Sequence, residues 1–161
     1  MDLDPTDSAL LQLLSQDARM SHRQMARHLG IAQGTVTNRL HRLEQQGIIE
    51  GYKVVVNPTQ LGLTLTIMAG LRIVKGKMID VQQKIAADPR VFAVYDVTGD
   101  WDSIVLARVR DRADLDNLTK TVFTLDGVSR SYTHVVLNTV KEDALPSLAH
   151  LQSSSSGQKS P

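Results

Sequence analysis

The sequence predicts an α+β fold in two parts, an N-terminal winged helix-turn-helix followed by a βαββαβ ferredoxin-like domain. Apolar residues recur at steps of three and four as far as Leu43, which indicates helices, and at steps of two from Thr64, which indicates strands. The chain has 161 residues, of which 42% are hydrophobic, so it has room for two small cores.

The first predicted helix begins at Asp4-Pro5-Thr6-Asp7. Asp4 fits the N-cap, Pro5 fits the first helical position, and Asp7 fits the positive end of the helix dipole. The leucines that follow form an apolar stripe that can pack on two further helices: Leu10, Leu11, Leu13 and Leu14.

Residues 21–43 have the spacing of two short helices joined by a tight turn. Ser21 and Gln24 form a capping box, and Gly30 stands where a residue at positive φ closes a helix. A second apolar series contains Val36, Leu40 and Leu43, so a second helix is expected from about Gln33. This arrangement is typical of a helix-turn-helix, and an ordinary helical hairpin is the plainer alternative.

The charge of this stretch is one-sided. No acidic residue lies between Asp17 and Glu44, whereas five arginines and three histidines do: Arg19, Arg23, Arg27, Arg39, Arg42, His22, His28 and His41. A merely solvated face usually mixes both signs, so the cluster indicates a surface that faces phosphates. The formal net charge of the whole chain is only +1, so the basic character is local.

The second of these helices supplies most of the residues expected to contact double-stranded DNA. Side chains that point away from Val36 and Leu40 can reach base edges, whereas the arginines are placed for phosphates or for neighbouring carboxylates. The predicted interface is Arg23, Gln33, Thr35, Thr37, Asn38, Arg39, His41 and Arg42.

A wing and a linker are expected after these helices. Two short strands that turn near Gly51 are predicted by a run of apolar residues: Ile48, Ile49, Tyr52, Val54, Val55 and Val56. Asn57-Pro58 ends the wing, so we assign residues 1–56 to the DNA-binding domain and residues 57–63 to the linker.

Residues 64–141 alternate strands and helices in the order βαββαβ. Strands are expected at residues 64–74, 91–98, 101–110 and 128–140. Two helices are expected between them, with these apolar faces: Met78, Val81, Ile85 and Ala86, then Leu115, Leu118, Val122 and Phe123. The order predicts a four-stranded sheet with both helices on one face, and the serine-rich tail, residues 142–161, is expected to be disordered.

Three segments resemble the Lrp/AsnC family of feast/famine transcription regulators, over a stretch from Leu3 to about Lys141. The first, ARMSHRQMARHLGIAQGTVTNRLHRLEQQGIIEGYKVVVNP, is similar to the family's helix-turn-helix, hairpin and exit proline. The second, VTGDWDSIVLARV, is similar to the central turn of the family's effector domain. The third, LDGVSRSYTHVVLNTVK, is similar to the closing strand of that domain. The resemblance implies a sequence-specific DNA-binding regulator that dimerises through its second domain, often forms octamers and responds to an effector such as an amino acid. Ala32-Gln33 departs from the serine or threonine cap usual in the family, a loss of about 1 kcal/mol that a packed helix tolerates.

The effector site is predicted at the turn Thr98-Gly99-Asp100-Trp101-Asp102. An amino acid has one ammonium and one carboxylate group, and a glycine turn flanked by aspartates offers an acidic acceptor beside approachable N–H groups. A plain hairpin turn is the alternative from the residues alone. The resemblance implies that the turn lines a pocket between subunits together with the hydroxyls of Ser131 and Thr133.

The sheet is also expected to dimerise. It has more apolar side chains than two small helices can cover, for example Val135, Val136 and Leu137 in succession. We therefore expect a homodimer through residues 64–140, with a second sheet covering the remainder.

Composition argues against several other classes of function. The chain has no cysteine, no metal-ligand spacing among its histidines, no P-loop and no apolar run near the ~20 residues of a membrane span. We expect a cytoplasmic protein with no enzymatic activity, metal or cofactor. Two alternatives stay open: a subunit similar to siroheme decarboxylases, for which only His134 and His150 lie in the second half, and an architectural DNA-binding protein without an effector.

Overall fold

The structure is a computed structural model that describes residues 3–143. The chain divides into two compact units, of which the first contains the residues up to Val55 and the second is Val56–Val140. The predicted disordered tail lies outside the described residues from position 144 onward.

Three helices form the first unit: α1 (Pro5–Gln16), α2 (His22–Leu29) and α3 (Gln33–Gln45). They enclose a small apolar core that consists of Leu10, Met25, Ala26, Val36, Leu40 and Leu43. Since these residues come from all three helices, each helix is held by the burial of its apolar stripe rather than by its own propensity.

The predicted helix ends in this unit are confirmed. The Asp4 carboxylate accepts the N–H of Asp7 at 2.8 Å, and Ser21 and Gln24 form both bonds of the capping box. Gly30 closes α2 with a φ of 64°, a conformation that costs glycine little. Ala32 is the N-cap of α3 and provides no side-chain bond.

The prediction of two wing strands is wrong for this chain. Residues 46–58 contain no strand, and Val54 and Val55 are 87% and 97% exposed. A β-branched sequence forms a strand only when a neighbouring strand accepts its hydrogen bonds, and none pairs with this segment in the described part of the chain. Tyr52 instead donates a hydrogen bond from its hydroxyl to the Glu44 carboxylate at 2.9 Å.

The second unit has the predicted βαββαβ order. Its elements are β1 (Leu65–Ile73), α4 (Met78–Ala86), β2 (Val91–Asp96), β3 (Ser103–Val109), α5 (Arg112–Thr121) and β4 (Val128–Val135). They form one antiparallel sheet with the strand order β2-β3-β1-β4, so β1 and β3 are central and β2 and β4 lie at the edges.

All four strands are shorter than predicted; β1 and the end of β3 differ by one residue at a boundary, and β2 ends at Asp96 rather than residue 98. The third strand begins at Ser103 rather than residue 101, and the last strand ends at Val135 rather than residue 140. Val135 lies opposite Ile67, and only one more bond follows, from the Val136 N–H to the Thr66 carbonyl at 2.9 Å. The ladder therefore stops short of the end of β1 at Leu65, and Leu137 and Val140 are more than 90% exposed.

One face of the sheet forms the core of the second unit. Ile67, Ala69 and Leu71 of β1 are fully buried, as are Val105 and Ala107 of β3. Helices α4 and α5 cover this face with Val81, Ile85 and Leu118, and two buried residues of the predicted helix face, Val122 and Phe123, follow the end of α5 at Thr121. The burial alternates along β3 with the period of two that the sequence predicts.

The opposite side of the sheet, here called the open face, is covered by no helix of residues 3–143. It is formed by the residues between the core residues on each strand, which include Met68, Gly70, Leu106, Tyr132 and His134. Tyr132 and Met68 are 51% and 41% exposed, so apolar surface of the sheet faces solvent in the single chain.

A mostly buried ion-pair network joins the start of β2 to α5. Arg90 donates to both carboxylate oxygens of Asp88 at 2.7 and 2.8 Å, to Asp114 at 3.1 Å and to the Asn117 side chain at 2.8 Å. The Arg90 hydrogen bond lowers the pKa of Asp88. The pKa of Asp114 is lowered mainly by a hydrogen bond from the Arg110 backbone N–H and to a smaller extent by the hydrogen bond from Arg90.

Replacing Arg90 by Gln should lower the free energy of unfolding by about 2 to 4 kcal/mol at neutral pH, because two mostly buried carboxylates lose their cation. The depressed pKa values contribute stability above pH ~4 that is lost as pH falls through the folded pKa. The difference between the wild type and Arg90→Gln in urea unfolding should therefore narrow below pH ~4.

Lys120→Gln is the control for this prediction. It breaks the exposed pair with Asp116, one helical turn away, and should cost less than ~0.5 kcal/mol. Equal losses in the two variants would show that the Arg90 network does not stabilise the fold in the way described.

Candidate functional site

The outward face of α3 is polar and accessible. Gln33, Thr35, Thr37, Asn38 and His41 are all exposed. The apolar residues that alternate with them, Val36, Leu40 and Leu43, are buried. This orientation follows from the helical period and is the one that the sequence predicts.

Thr37 also links α2 to α3. Its hydroxyl donates to the Gln33 carbonyl at 3.1 Å and lies 2.9 Å from Nδ1 of His22. Because the hydroxyl hydrogen points to the carbonyl, His22 acts as the donor through Nδ1–H. Thr37 thus holds the helices together, and Thr35 and Asn38 present their polar groups without such a bond.

Arg39 and Arg42 are paired with carboxylates of α1. Arg39 bonds to Asp4 and, at 2.9 Å, to Asp7, and Arg42 bonds to Asp7 at 2.5 Å. The sequence predicted either phosphates or neighbouring carboxylates as partners of these arginines. In the structure the partners are carboxylates. The Arg39 hydrogen bond lowers the pKa of Asp4.

The role of Asp7 was missed at the sequence level. Asp7 is only 2% exposed and accepts hydrogen bonds from two arginines. From the sequence we predicted only its position in the first turn of α1. A signal was available, because Asp7 is three residues before the buried Leu10 and therefore lies near the buried face of its helix.

The other predicted phosphate contact, Arg23, lies on α2 together with Arg27. Both side chains are exposed, and neither has an ion pair within residues 3–143. The accessible positive charge of the helix-turn-helix is therefore concentrated on α2.

The turn between β2 and β3 has the shape that the sequence predicts. Thr98, Gly99 and Asp100 are exposed, and Gly99 has a φ of 109°. The Val97 N–H donates to the Asp102 carbonyl at 3.3 Å and closes the turn. The backbone around Gly99 is thus open to a ligand, with the Asp100 carboxylate beside it.

Asp102, predicted as part of the effector site, has structural partners within the chain. Its carboxylate accepts the Ile73 N–H at 2.8 Å, and its other oxygen lies 3.5 Å from Arg72. β3 begins at Ser103, opposite Leu71, so Ile73 lies beyond the end of the β1–β3 ladder and its N–H has no backbone partner on β3. The aspartate satisfies that donor.

Trp101 packs on the open face rather than on an edge of the sheet. A Cβ atom added to Gly70 would lie 2.6 Å from the indole, so only glycine fits beneath the ring. The Arg130 guanidinium lies 5.7 Å from the ring centroid, and the Tyr132 ring lies at 6.2 Å. Trp101 therefore anchors the turn to the central strand.

Ser131 and Thr133 do not meet Trp101 within one chain. They lie opposite Leu71 and Ala69, whose side chains point into the core, so both hydroxyls are on the helix-covered side of the sheet. Ser131 and Thr133 thus lie on one common face of β4. The sheet separates them from the indole of Trp101.

A further concave surface, between α4 and β2, has no counterpart in the predictions. It has a volume of about 500 Å³ and is lined by Ile79, Gln82, Gln83, Ala86, Val94, Tyr95 and Asp96. The Gln82 amide donates to the Asp96 carboxylate and, at 3.1 Å, to the Ser103 hydroxyl. Its polar groups are thus bonded to one another, and no local sequence motif marks the surface.

Residues 3–143 contain no group of three or more acidic or histidine side chains that could hold a metal ion. His134 lies on the open face, 4.8 Å from the Tyr132 ring, and His150 is outside the described residues. Among the described helices, none is long and apolar enough to span a bilayer.

Two family profiles match the two halves of the chain. Residues 3–50 match a winged helix-turn-helix DNA-binding domain, and residues 66–146 match the Lrp/AsnC ligand-binding domain. An uncharacterised HTH-type transcriptional regulator of Pyrococcus furiosus is 42% identical over 89% of this chain and 97% of its own length. The HTH-type transcriptional regulator Ptr1 of Methanocaldococcus jannaschii is 33% identical over 87% and 95%.

Solved structures show the same architecture. AsnC of E. coli superposes with a TM-score of 0.85 at 22% identity, over 90% of this chain and 99% of its own. A transcriptional regulator of Neisseria meningitidis, solved as a complex with L-Met, gives a TM-score of 0.85 at 26% identity, over 93% and 99%. The chain belongs to the Lrp/AsnC family of DNA-binding transcriptional regulators.

Proposed function

We propose that this regulator binds specific DNA sequences as a homodimer and that a small amino acid changes its DNA binding by occupying the β2–β3 turn. The observation that carries the proposal is the exposed polar face of α3 beside an acid-free basic stretch, in a chain with a separate ligand-binding domain. Each part of the proposal rests on a different set of residues.

The DNA-reading part rests on α3. Thr35 and Asn38 border a concave surface of about 340 Å³ on this helix, together with Arg39 and Arg42. Amides and hydroxyls bond to base edges, and asparagine pairs with adenine through two bonds. Gln33, Thr35, Asn38 and His41 are therefore proposed as base contacts, and Arg23 as a phosphate contact from α2.

Asn38→Ala should weaken binding to the preferred site by about 1 to 3 kcal/mol and relax the sequence preference at the base that it contacts. Binding of the variant to selected and to random duplexes should be compared by fluorescence anisotropy. Gln46→Ala, at the exposed C-cap of α3, is the control and should leave the preference unchanged. Equal losses on selected and random DNA would refute base reading by Asn38.

The proposed homodimer is supported by the open face of the sheet. Apolar and aromatic side chains are exposed there in the single chain, and no helix covers them. A two-fold partner that brings the same face would bury this surface and place two α3 helices on one duplex, one helical turn or a multiple of it apart. Association of such dimers into octamers is part of the proposal through the family resemblance.

Tyr132→Asp should convert the dimer to monomer at micromolar concentration, because it places a charge at the centre of the proposed interface. Ile79→Asp is the matched control, since Ile79 is 69% exposed on α4, away from the open face. Light scattering should show a dimer or larger assembly for the wild type and the control. A monomeric wild type would contradict the proposal.

The proposed effector site is supported by the β2–β3 turn and by the position of Ser131 and Thr133. The exposed carboxylate of Asp100 is available for an ammonium group, and the backbone around Gly99 can approach a carboxylate. Since the sheet separates Trp101 from the two hydroxyls, a site that uses both must be completed by a neighbouring subunit. The L-Met complex of the Neisseria relative supports an amino acid as the ligand class.

Gly99→Val should abolish the response of DNA binding to the effector and leave basal DNA binding intact, because its side chain blocks approach to the turn. The twenty amino acids, L-methionine first, serve as probes in calorimetry and DNA titrations. Gly76→Val has comparable backbone strain, with a φ of 85° and open space around it, and should keep the response. A folded Gly99→Val protein that responds normally would place the pocket elsewhere.

A further inference from the structure

We infer that Asp4 and Asp7 determine DNA specificity by pairing with Arg39 and Arg42 and thereby preventing these arginines from acting as general phosphate anchors. These four residues are here called the α1–α3 cluster. The inference goes beyond base reading by α3, because it concerns how strongly the protein binds DNA of any sequence.

The geometry of the cluster is specific. The buried carboxylate of Asp7 binds one arginine through each oxygen, Oδ1 to Arg39 and Oδ2 to Arg42. Asp4 binds the same nitrogen of Arg39 and also caps α1. Charge-assisted bonds of this kind are directional, and Asp7 is too buried for solvent to screen them fully.

The cluster is electrically balanced. Two carboxylates and two guanidinium groups cancel, so two of the five arginines in the basic stretch contribute little long-range attraction for DNA. The exposed cations on α2, Arg23 and Arg27, are left to attract the phosphates. The one-sided charge of residues 18–43 is thus partly neutralised by acidic residues that precede it in the chain.

The position of the cluster makes this neutralisation relevant to specificity. Arg39 and Arg42 border the same concave surface as Thr35 and Asn38. An unpaired guanidinium at that point would lie beside any duplex docked on α3 and would bind its phosphates irrespective of sequence. Contacts to phosphate strengthen all sites alike, so they lower the ratio of specific to non-specific affinity.

Asp4→Asn tests the inference with little risk to folding, because asparagine caps a helix about as well as aspartate. The variant removes one carboxylate and leaves the α1–α3 cluster with one uncompensated positive charge. On a random duplex, the plot of log affinity against log salt concentration should steepen by about 0.9. The gain in affinity over the wild type should therefore shrink about three- to fourfold between 50 and 200 mM salt.

The specific probe is a duplex selected from a random library by the wild-type protein. Its affinity should rise less than that of the random duplex, so the specificity ratio should fall. Asp116→Asn removes the same charge from the exposed surface of α5 and should leave the salt dependence unchanged. Asp4→Asn with Arg39→Gln restores the charge balance of the cluster and should return the wild-type slope.

Asp7→Asn, checked by thermal unfolding, is the second variant and should show the same steeper slope. An unchanged slope and an unchanged affinity for random DNA in folded Asp4→Asn would overturn the inference. Weaker binding to both duplexes with a flatter slope would also overturn it, because it would mean that the carboxylates hold the arginines ready for phosphate. A steeper slope with a lower specificity ratio would support it.

Discussion

The second unit is organised by a sheet that has helices on only one side. Both connections that carry α4 and α5 return to the same face, so Ile67, Leu71 and Val105 are buried and the residues between them are not. The open face lies outside this core, and the Trp101 indole covers part of it by packing on Gly70. The proposed dimer and the proposed site between subunits both follow from this one-sided coverage.

The first unit has a different constraint, which is the orientation of α3. Its apolar stripe packs on α1 and α2, and polar links fix it to both of these helices: Thr37 bonds to His22 of α2, and the two arginines bond to Asp7 of α1. A reading helix must be held firmly if its side chains are to meet base edges at hydrogen-bond distance. The same links set how much of the local positive charge is free to attract DNA.

The features that the sequence predicted well are those that depend on near neighbours. The capping box of α2, the left-handed Gly30 and the Asp4 cap of α1 each involve residues within a few positions of one another. The alternation of apolar residues likewise fixed the core face of β1 and β3, because it reflects a local period. The order of the elements then restricted the fold to one familiar topology.

The features that the sequence did not predict depend on partners far along the chain. The residues after Tyr52 have strand-forming side chains but pair with no strand of residues 3–143, and β4 ends at Val135 although apolar residues continue to Val140. Asp102 binds the backbone 29 residues before it, and Asp7 binds Arg39, 32 residues after it. Such contacts require the folded arrangement, so composition and period cannot reveal them.

The proposed function requires that the ligand-binding domain and the DNA-binding domain are thermodynamically linked. This linkage can be measured by two titrations of the wild-type protein: duplex DNA with and without a saturating amino acid, and the amino acid with and without saturating DNA. Both affinities should change by the same factor, about 5- to 150-fold, since linkage is reciprocal. An amino acid that binds tightly and leaves the DNA affinity unchanged, or the absence of binding by all twenty, would contradict it.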